Sequence, residues 1–258
     1  MSNKLFEKEL QSEADRILNA SDARGLTLRL IGAIAVRLHS ESAKKELARD
    51  LTDLDFIGLG KERKEIENLF KELGYIADWS FNTLHPLRLR FKRKFEERYI
   101  NVDIWLDAFE MCHRFDFTKR LHLDKPTLPV TDLLMTKLQI VQLTEKDLKD
   151  VFSLLLDHEL CENNNNIECI NVKYLQEICS KNWGIYKTFI SNIAKIASML
   201  ENFSLRKEQK ELLKLRLTQL EEGIEKAPKS ISWRLRAIIG EKIRWYNMPE
   251  NIRGQNLE

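Results

Sequence analysis

The sequence predicts an α+β fold, with strands and helices intermixed over residues 1–125 and helices alone over residues 126–258. Two observations lead there. Before residue 126, short runs that alternate apolar and polar residues stand between stretches of helical periodicity. From Thr131 onward the alternation stops, and apolar residues recur every three or four positions to about Tyr246.

In chain order, Leu5, Phe6, Leu10, Ala14, Ile17 and Leu18 share one face of a helix over residues 4–20. "GLTLRLIG" is an apolar strand ending in Gly32, and "AIAVRLHSES" continues as a helix, so a glycine stands at a strand-to-helix turn. "LTDLDFIGL" is a second strand. "ERKEIENLFKELGY" is a helix with Ile66, Leu69, Phe70 and Leu73 on one face, stopped by Gly74. "LRLRFKRKFEERYINVDIWLD" reads as two strands around a tight turn near Lys94–Glu97. A short strand, "KRLHL", and a Pro-flanked loop, "DKPTLPV", follow. "TDLLMTKLQIVQL" and "EKDLKDVFSLLLDHEL" are helices broken at Thr144, "CENNNNIEC" is a polar loop, and four or five further helical segments run to the tail.

A chain of 258 residues with 43% hydrophobic content can bury one large core or two ordinary ones. The opening "MSNKLFEKELQSEADRIL" is polar and amphipathic, unlike a signal peptide, and no apolar run is long enough to cross a bilayer. Cys112, Cys161, Cys169 and Cys179 show no C-x2-C spacing and the histidines other than His113 show no ligand spacing, which argues against zinc. The expectation is free thiols in a protein of the cytoplasm, with no membrane association.

"RDLTDLDFIG" carries Asp53 and Asp55 in a strand, where Asp is disfavoured. Residues i and i+2 of a strand point to the same side, so the two carboxylates share a face while Leu54 and Phe56 turn to the core. In "YINVDIWLD", Ile100, Val102, Ile104 and Leu106 form a core face, and Asn101, Asp103, Trp105 and Asp107 form the other. If the strands are neighbours, three or more carboxylates converge, and their repulsion is relieved by a hard divalent cation, Mg2+ or Mn2+. The other reading is two exposed edge-strand faces.

A glycine at a strand–helix turn, then D-x-D on a strand, then a third Asp on a later strand resembles the nucleotidyltransferase fold of the DNA polymerase beta superfamily. Gly32-Ala33, Asp53/Asp55 and Asp103 match its turn, its carboxylate pair and its third acid, with Ala33 where that family has Gly or Ser. "LPVTDLLMTKLQIVQLTEKDLKDVFSLLL" is similar to a segment of AbiEii-type proteins, the abortive-infection nucleotidyltransferase toxins, with Lys137 at the Lys position and Asp147 or Asp150 at the acidic one. The tail "APKSISWRLRAIIGEKIRWYNMPE" is similar to that of other nucleotidyltransferase-like proteins and implies no activity.

The resemblance implies a mixed sheet flanked by helices, followed by the helical domain, with an NTP bound in the cleft between the two. Asp53, Asp55 and Asp103 would hold Mg2+ or Mn2+, and Gly32 and Ala33 would contact phosphate. Lys137 would neutralise the triphosphate with Asp147 in support. NMP would pass to a hydroxyl acceptor, RNA or tRNA before a protein or small molecule, and pyrophosphate would leave. A toxin-like role would bring an antitoxin or another partner protein. The alternative is an inactive member of the fold that binds RNA or a partner protein.

Other residues stay open at this stage. Arg49 either balances the carboxylates or meets a phosphate, or is a surface Arg. His113 is a general base or a structural His, and Cys112 lacks a supporting nucleophile constellation. Arg88, Arg90, Lys92, Arg93, Lys94 and Arg98 make one basic patch, with RNA or triphosphate as its candidate contact. A second, over residues 205–246, interleaves Trp233 and Trp245 with Arg234, Arg236, Lys242 and Arg244; the simpler reading is core Trp and solvated Arg on an amphipathic helix.

Overall fold

Alternation in the first half and helical periodicity in the second build a mixed five-stranded sheet and a set of helices, as a computed structural model that describes residues 3–162 and 166–248 shows. The described residues fall into two compact units. The first takes residues up to 38, 49–110 and 114–129, and the second takes 39–48, 111–113 and residues from 130 on.

The first unit runs α1 (Asn3–Asp22), β1 (Leu28–Ile31), α2 (Gly32–His39, whose last residue belongs to the second unit), β2 (Asp53–Gly58), α3 (Arg63–Glu72), β3 (Ile76–Ala77), α4 (Trp79–Leu84), β4 (Arg88–Phe95), β5 (Arg98–Leu106), β6 (Ala108–Glu110) and β7 (Arg114–Asp116). The sheet order is β1-β2-β5-β4-β3. β2 and β5 are parallel; the other neighbours are antiparallel. One face is apolar: Leu54, Phe56, Leu89, Phe91, Val102 and Ile104 are all buried. α1 covers β1 and β2, and Phe70 of α3 stacks on Phe91 at 4.5 Å. Sliding β2 by one residue would turn Leu54 and Phe56 outward, at a cost of about 3–6 kcal/mol before the buried aspartates are counted.

Several local expectations are met in detail. Gly74 follows α3 with φ 81, the left-handed stop a glycine provides. The hairpin turns at Glu96–Glu97, between Phe95 and Arg98. One strand is corrected. "KRLHL" forms turns closed by Arg120 N–H and Leu121 N–H to the Phe117 carbonyl, at 2.7 and 3.1 Å. Of its two leucines only Leu121 is buried, so an extended run would have no apolar face to hide. β6, β7, β3 and α4 went unforeseen because each is six residues or shorter.

The second unit holds α5 (Val130–Leu138), α6 (Glu145–Asp157), β8 (Leu160–Cys161), β9 (Ile170–Asn171), α7 (Val172–Lys181), α8 (Trp183–Met199), α9 (Lys207–Lys226) and α10 (Ile231–Ile239). α5 is buried all round, Asp132 and Lys137 included. Thr144 caps α6 in a reciprocal box with Asp147, which explains the break there. Asn171, Asn182 and Ser230 cap α7, α8 and α10. α9 lays Leu213, Leu217, Leu220 and Ile224 inward.

Two further expectations are corrected here. Cys161 and Cys169 form a disulfide, while Cys112 and Cys179 are free and buried. Part of the polar loop between the bonded pair, residues 163–165, lies outside the described residues, as do residues 249–250 of the tail. On α10 the pattern is the reverse of a core helix: Ile231, Leu235 and Ile238 are exposed, whereas Trp233 is half-buried against Tyr186. No described helix is long and apolar enough to cross a membrane.

His113 is structural. Trp245 Nε1 donates to Thr188 Oγ1 at 3.0 Å, and the same hydroxyl is hydrogen-bonded to His113 Nε2, 2.8 Å away. Burial pushes the His113 pKa down to about 4 from 6.5. A fold that holds this ring neutral gains stability that is complete above pH 6.5 and lost as pH falls towards 4. Denaturant melts of wild type and His113→Gln are expected to converge by about 2 kcal/mol between pH 7 and 4.5. A gap that does not change with pH would contradict this.

Candidate active site

The parallel pairing of β2 with β5 sets Asp55 opposite Asp103 and Asp53 opposite Asn101. Neighbouring strands lie about 4.8 Å apart, and these four side chains stand on the face opposite the apolar one. On the other side of β2, Ile31 of β1 pairs with Asp55. The chain leaving β1 therefore turns at Gly32 directly beside that carboxylate. Gly32 has φ 69, and a Cβ there would overlap Asp55 Oδ2. Glycine is thus required twice, by the backbone and by the carboxylate. α2 starts at this turn, and the first N–H groups of a helix have no partner within it, so they favour an anion. Ala33 is buried against the fold and contributes only backbone to such a site.

Asp53 is exposed and its Oδ1 accepts from the Thr52 hydroxyl at 3.1 Å. Asp55 is half-buried. Asp103 is engaged differently. Its Oδ1 accepts from Arg90 Nε at 2.8 Å and from an Arg88 guanidinium nitrogen at 3.3 Å. Arg90 is its antiparallel partner on β4, and Arg88 stands opposite Trp105. The Arg90 guanidinium lies over Phe81 of α4 at 3.8 Å, and that of Arg88 over Trp105 at 4.7 Å. Asn82 of α4 accepts from the Arg90 N–H at 2.7 Å, which ties the helix to the strand that carries both cations. The donor set of Asp53, Asp55 and Asp103 is oxygen only, which suits Mg2+ or Mn2+ over softer ions.

Asp107 leaves the set. It lies past the end of β5 with φ 63 and accepts from the Gly60 N–H at 2.8 Å. Arg49 is half-buried just before β2. Lys137 and Asp147 stand in the second unit, where Lys137 Nζ meets Asp150 at 2.8 Å and Asp147 at 3.3 Å. Asp147 also serves the α6 cap. Burial pushes the Cys112 thiol up, away from a nucleophile. The first basic patch is partly consumed within the fold: Arg93 pairs with Glu9 and Glu13, Arg98 covers Phe6, and Arg88 and Arg90 hold Asp103. Sequence reasoning placed these arginines in a patch and missed their pairing with Asp103. The hairpin turn at Glu96–Glu97 carries that signal, because it sets residue 90 opposite residue 103.

No protein-family model matches the chain, and no curated protein matches it. Among solved structures it is similar to the antibiotic-resistance factor ANT(2'')-Ia, with 11% identity and a TM-score of 0.38 over 67% of this chain and 94% of that one. That likeness is slight, and neither the fold nor the function rests on it.

Gly32→Ala is expected to cost about 1–2 kcal/mol from its left-handed backbone alone, with an added penalty from the overlap with Asp55. Urea melts in wild-type and Asp55→Ala backgrounds separate the two. The cost should be smaller without the Asp55 carboxylate. Equal costs in both backgrounds would contradict the contact.

Proposed function

We propose that the first unit carries the site of a divalent-metal-dependent nucleotidyl transfer from an NTP to a hydroxyl acceptor. The observation that supports this reading is the register: Asp55 beside Asp103 on neighbouring parallel strands, with Asp53 on the same face and the Gly32 turn against Asp55. Asp53 and Asp55 would hold Mg2+ or Mn2+, and Asp103 would complete the set. The bound ions would supply charge neutralisation for the phosphates and polarisation of the attacking oxygen. The Gly32 and Ala33 N–H groups would donate to phosphate oxygens at the start of α2. Asp103, oriented by Arg90 and Arg88, would receive the acceptor proton. Positioning and electrostatics would carry most of the rate, and pyrophosphate would leave. An RNA or tRNA end is the first acceptor to try, and a toxin-like role with an antitoxin partner belongs to the same reading.

One observation favours a second reading, a non-catalytic binding module for RNA or a partner protein. Asp103 is already held by two guanidinium groups, and a metal ion bound to that oxygen would have to displace them or share it.

The full chain should be incubated with Mg2+ and each labelled NTP, with and without total RNA, beside Asp53→Asn. Label transfer or pyrophosphate release that disappears in the variant supports the enzyme. Mg2+-dependent NTP binding by calorimetry without turnover supports the binding module, and no such binding contradicts the nucleotide site altogether. The phosphate contact considered for Arg49 and the roles that the resemblance implies for Lys137 and Asp147 are tested in the same assay. A nucleotide contact raises KM for the NTP. Loss of a purely structural pair lowers the melting temperature and leaves KM unchanged.

A further inference from the structure

We propose that His39, His158 and Glu168, all in the second unit, form a binding site for a divalent transition-metal ion of the zinc class. One ligand atom from each lies within 4.8 Å of the others. His39 Nδ1 stands 3.4 Å from Glu168 Oε2. A tetrahedral ion with bonds of roughly 2.0–2.2 Å sets neighbouring ligand atoms about 3.4 Å apart, so this pair is already at ligand spacing. His158 Nδ1, the nitrogen that faces the Glu168 carbonyl, lies 3.9 Å from the same oxygen, which sets this ring beside the pair, and the two imidazole rings meet edge to face with centroids 5.9 Å apart.

The state of His158 adds an independent reason. Its Nδ1 is 2.8 Å from the Glu168 carbonyl oxygen. A carbonyl only accepts, so Nδ1 carries the hydrogen and the lone pair of the neutral ring lies on Nε2. His158 is only 6% exposed, and its Nε2 is buried with no hydrogen-bond partner. A buried acceptor left without a partner is costly, and a cation bound at Nε2 would satisfy it. An imidazole whose one nitrogen donates to a backbone carbonyl is also oriented for metal binding through the other.

The donor set decides the class of ion. Two imidazoles and one carboxylate suit Zn2+ and its neighbours, Co2+ and Ni2+, and are too rich in nitrogen for Mg2+. Three protein ligands leave a fourth position for water. The framework around the set is braced. Glu168 precedes Cys169, whose bond to Cys161 closes the loop after His158. On the His39 side, the Ser42 N–H and hydroxyl both donate to Asp157 Oδ2 at 2.8 Å. An ion here would tie residue 39 to the segment 158–168, and its binding free energy would add to the stability of this unit.

The test uses the full chain, stripped with a chelator and titrated with Zn2+ against a chromophoric competitor, then with Co2+ to read coordination from its visible spectrum. One equivalent of Zn2+, a tetrahedral Co2+ spectrum and a higher melting temperature with Zn2+ are expected. His39→Ala is expected to weaken binding by more than about 100-fold, beyond what an outer-shell change does. Because His158 is buried, Glu168→Gln serves as the second variant. Its side chain is 58% exposed, circular dichroism will verify its fold, and a loss of at least about 10-fold is expected. The Asp53→Asn, Asp55→Asn double variant should keep Zn2+ affinity intact, which separates this site from the nucleotide reading. Absence of binding in wild type, affinity unchanged in folded His39→Ala and Glu168→Gln, or affinity lost in the aspartate double variant would each overturn the proposal.

Discussion

Everything at the aspartate face depends on one constraint, the parallel pairing of β2 with β5 in a single register. Leu54 and Phe56 on one strand and Val102 and Ile104 on the other must face the helices, because a strand inverts its faces with every one-residue slip. Once those four are inside, Asp53, Asp55 and Asp103 have no choice but to share the opposite face. The hydrophobic core thereby assembles a charged cluster that would not assemble itself. The cost of that cluster is repulsion, and the protein offsets part of it locally, by setting Arg90 opposite Asp103 with Arg88 beside it.

The same logic links the turn to the strands. β1 pairs with β2 so that Ile31 lies opposite Asp55, and the next residue must be Gly32 because no other side chain fits against that carboxylate. A backbone turn, a helix start and a carboxylate meet without any long-range device beyond strand pairing. α4 then braces the arginines from the other edge, through Phe81 and Asn82. Two charge types are thus held on one face, with anions on β2 and β5 and cations on β4.

How much of this the sequence reveals depends on the range of the interaction. Period-two alternation is local, so the shared face of Asp53 and Asp55 and the core face of β5 are readable from single segments. The hairpin is readable too, and with it the opposition of Arg90 and Asp103, although composition alone presents those arginines only as a basic patch. Capping is local as well, so Thr144 and Asp147 mark the start of α6. The parallel pairing of β2 and β5 is not readable in this way, because α3, β3, α4 and β4 intervene and nothing within either strand names its neighbour. α4 and the β6–β7 hairpin are too short to show a period. The Cys161–Cys169 bond escaped because thiol spacing does not record oxidation state. His39, His158 and Glu168 escaped because 118 residues separate the first two, counted from their numbers, and no motif spans them.

On the proposed function, Gly32, Asp55 and Asp103 form a nucleotide–metal centre that the β2–β5 register creates. The most direct measurement is paramagnetic broadening of the amide signals of the labelled full chain by Mn2+, in the presence of a non-hydrolysable NTP analogue. The expected result is broadening at Gly32 and Ala33, along residues 53–56 and along residues 101–105, abolished by Asp53→Asn with Asp55→Asn. Broadening that leaves those three segments untouched, or survives the double substitution, would contradict the claim.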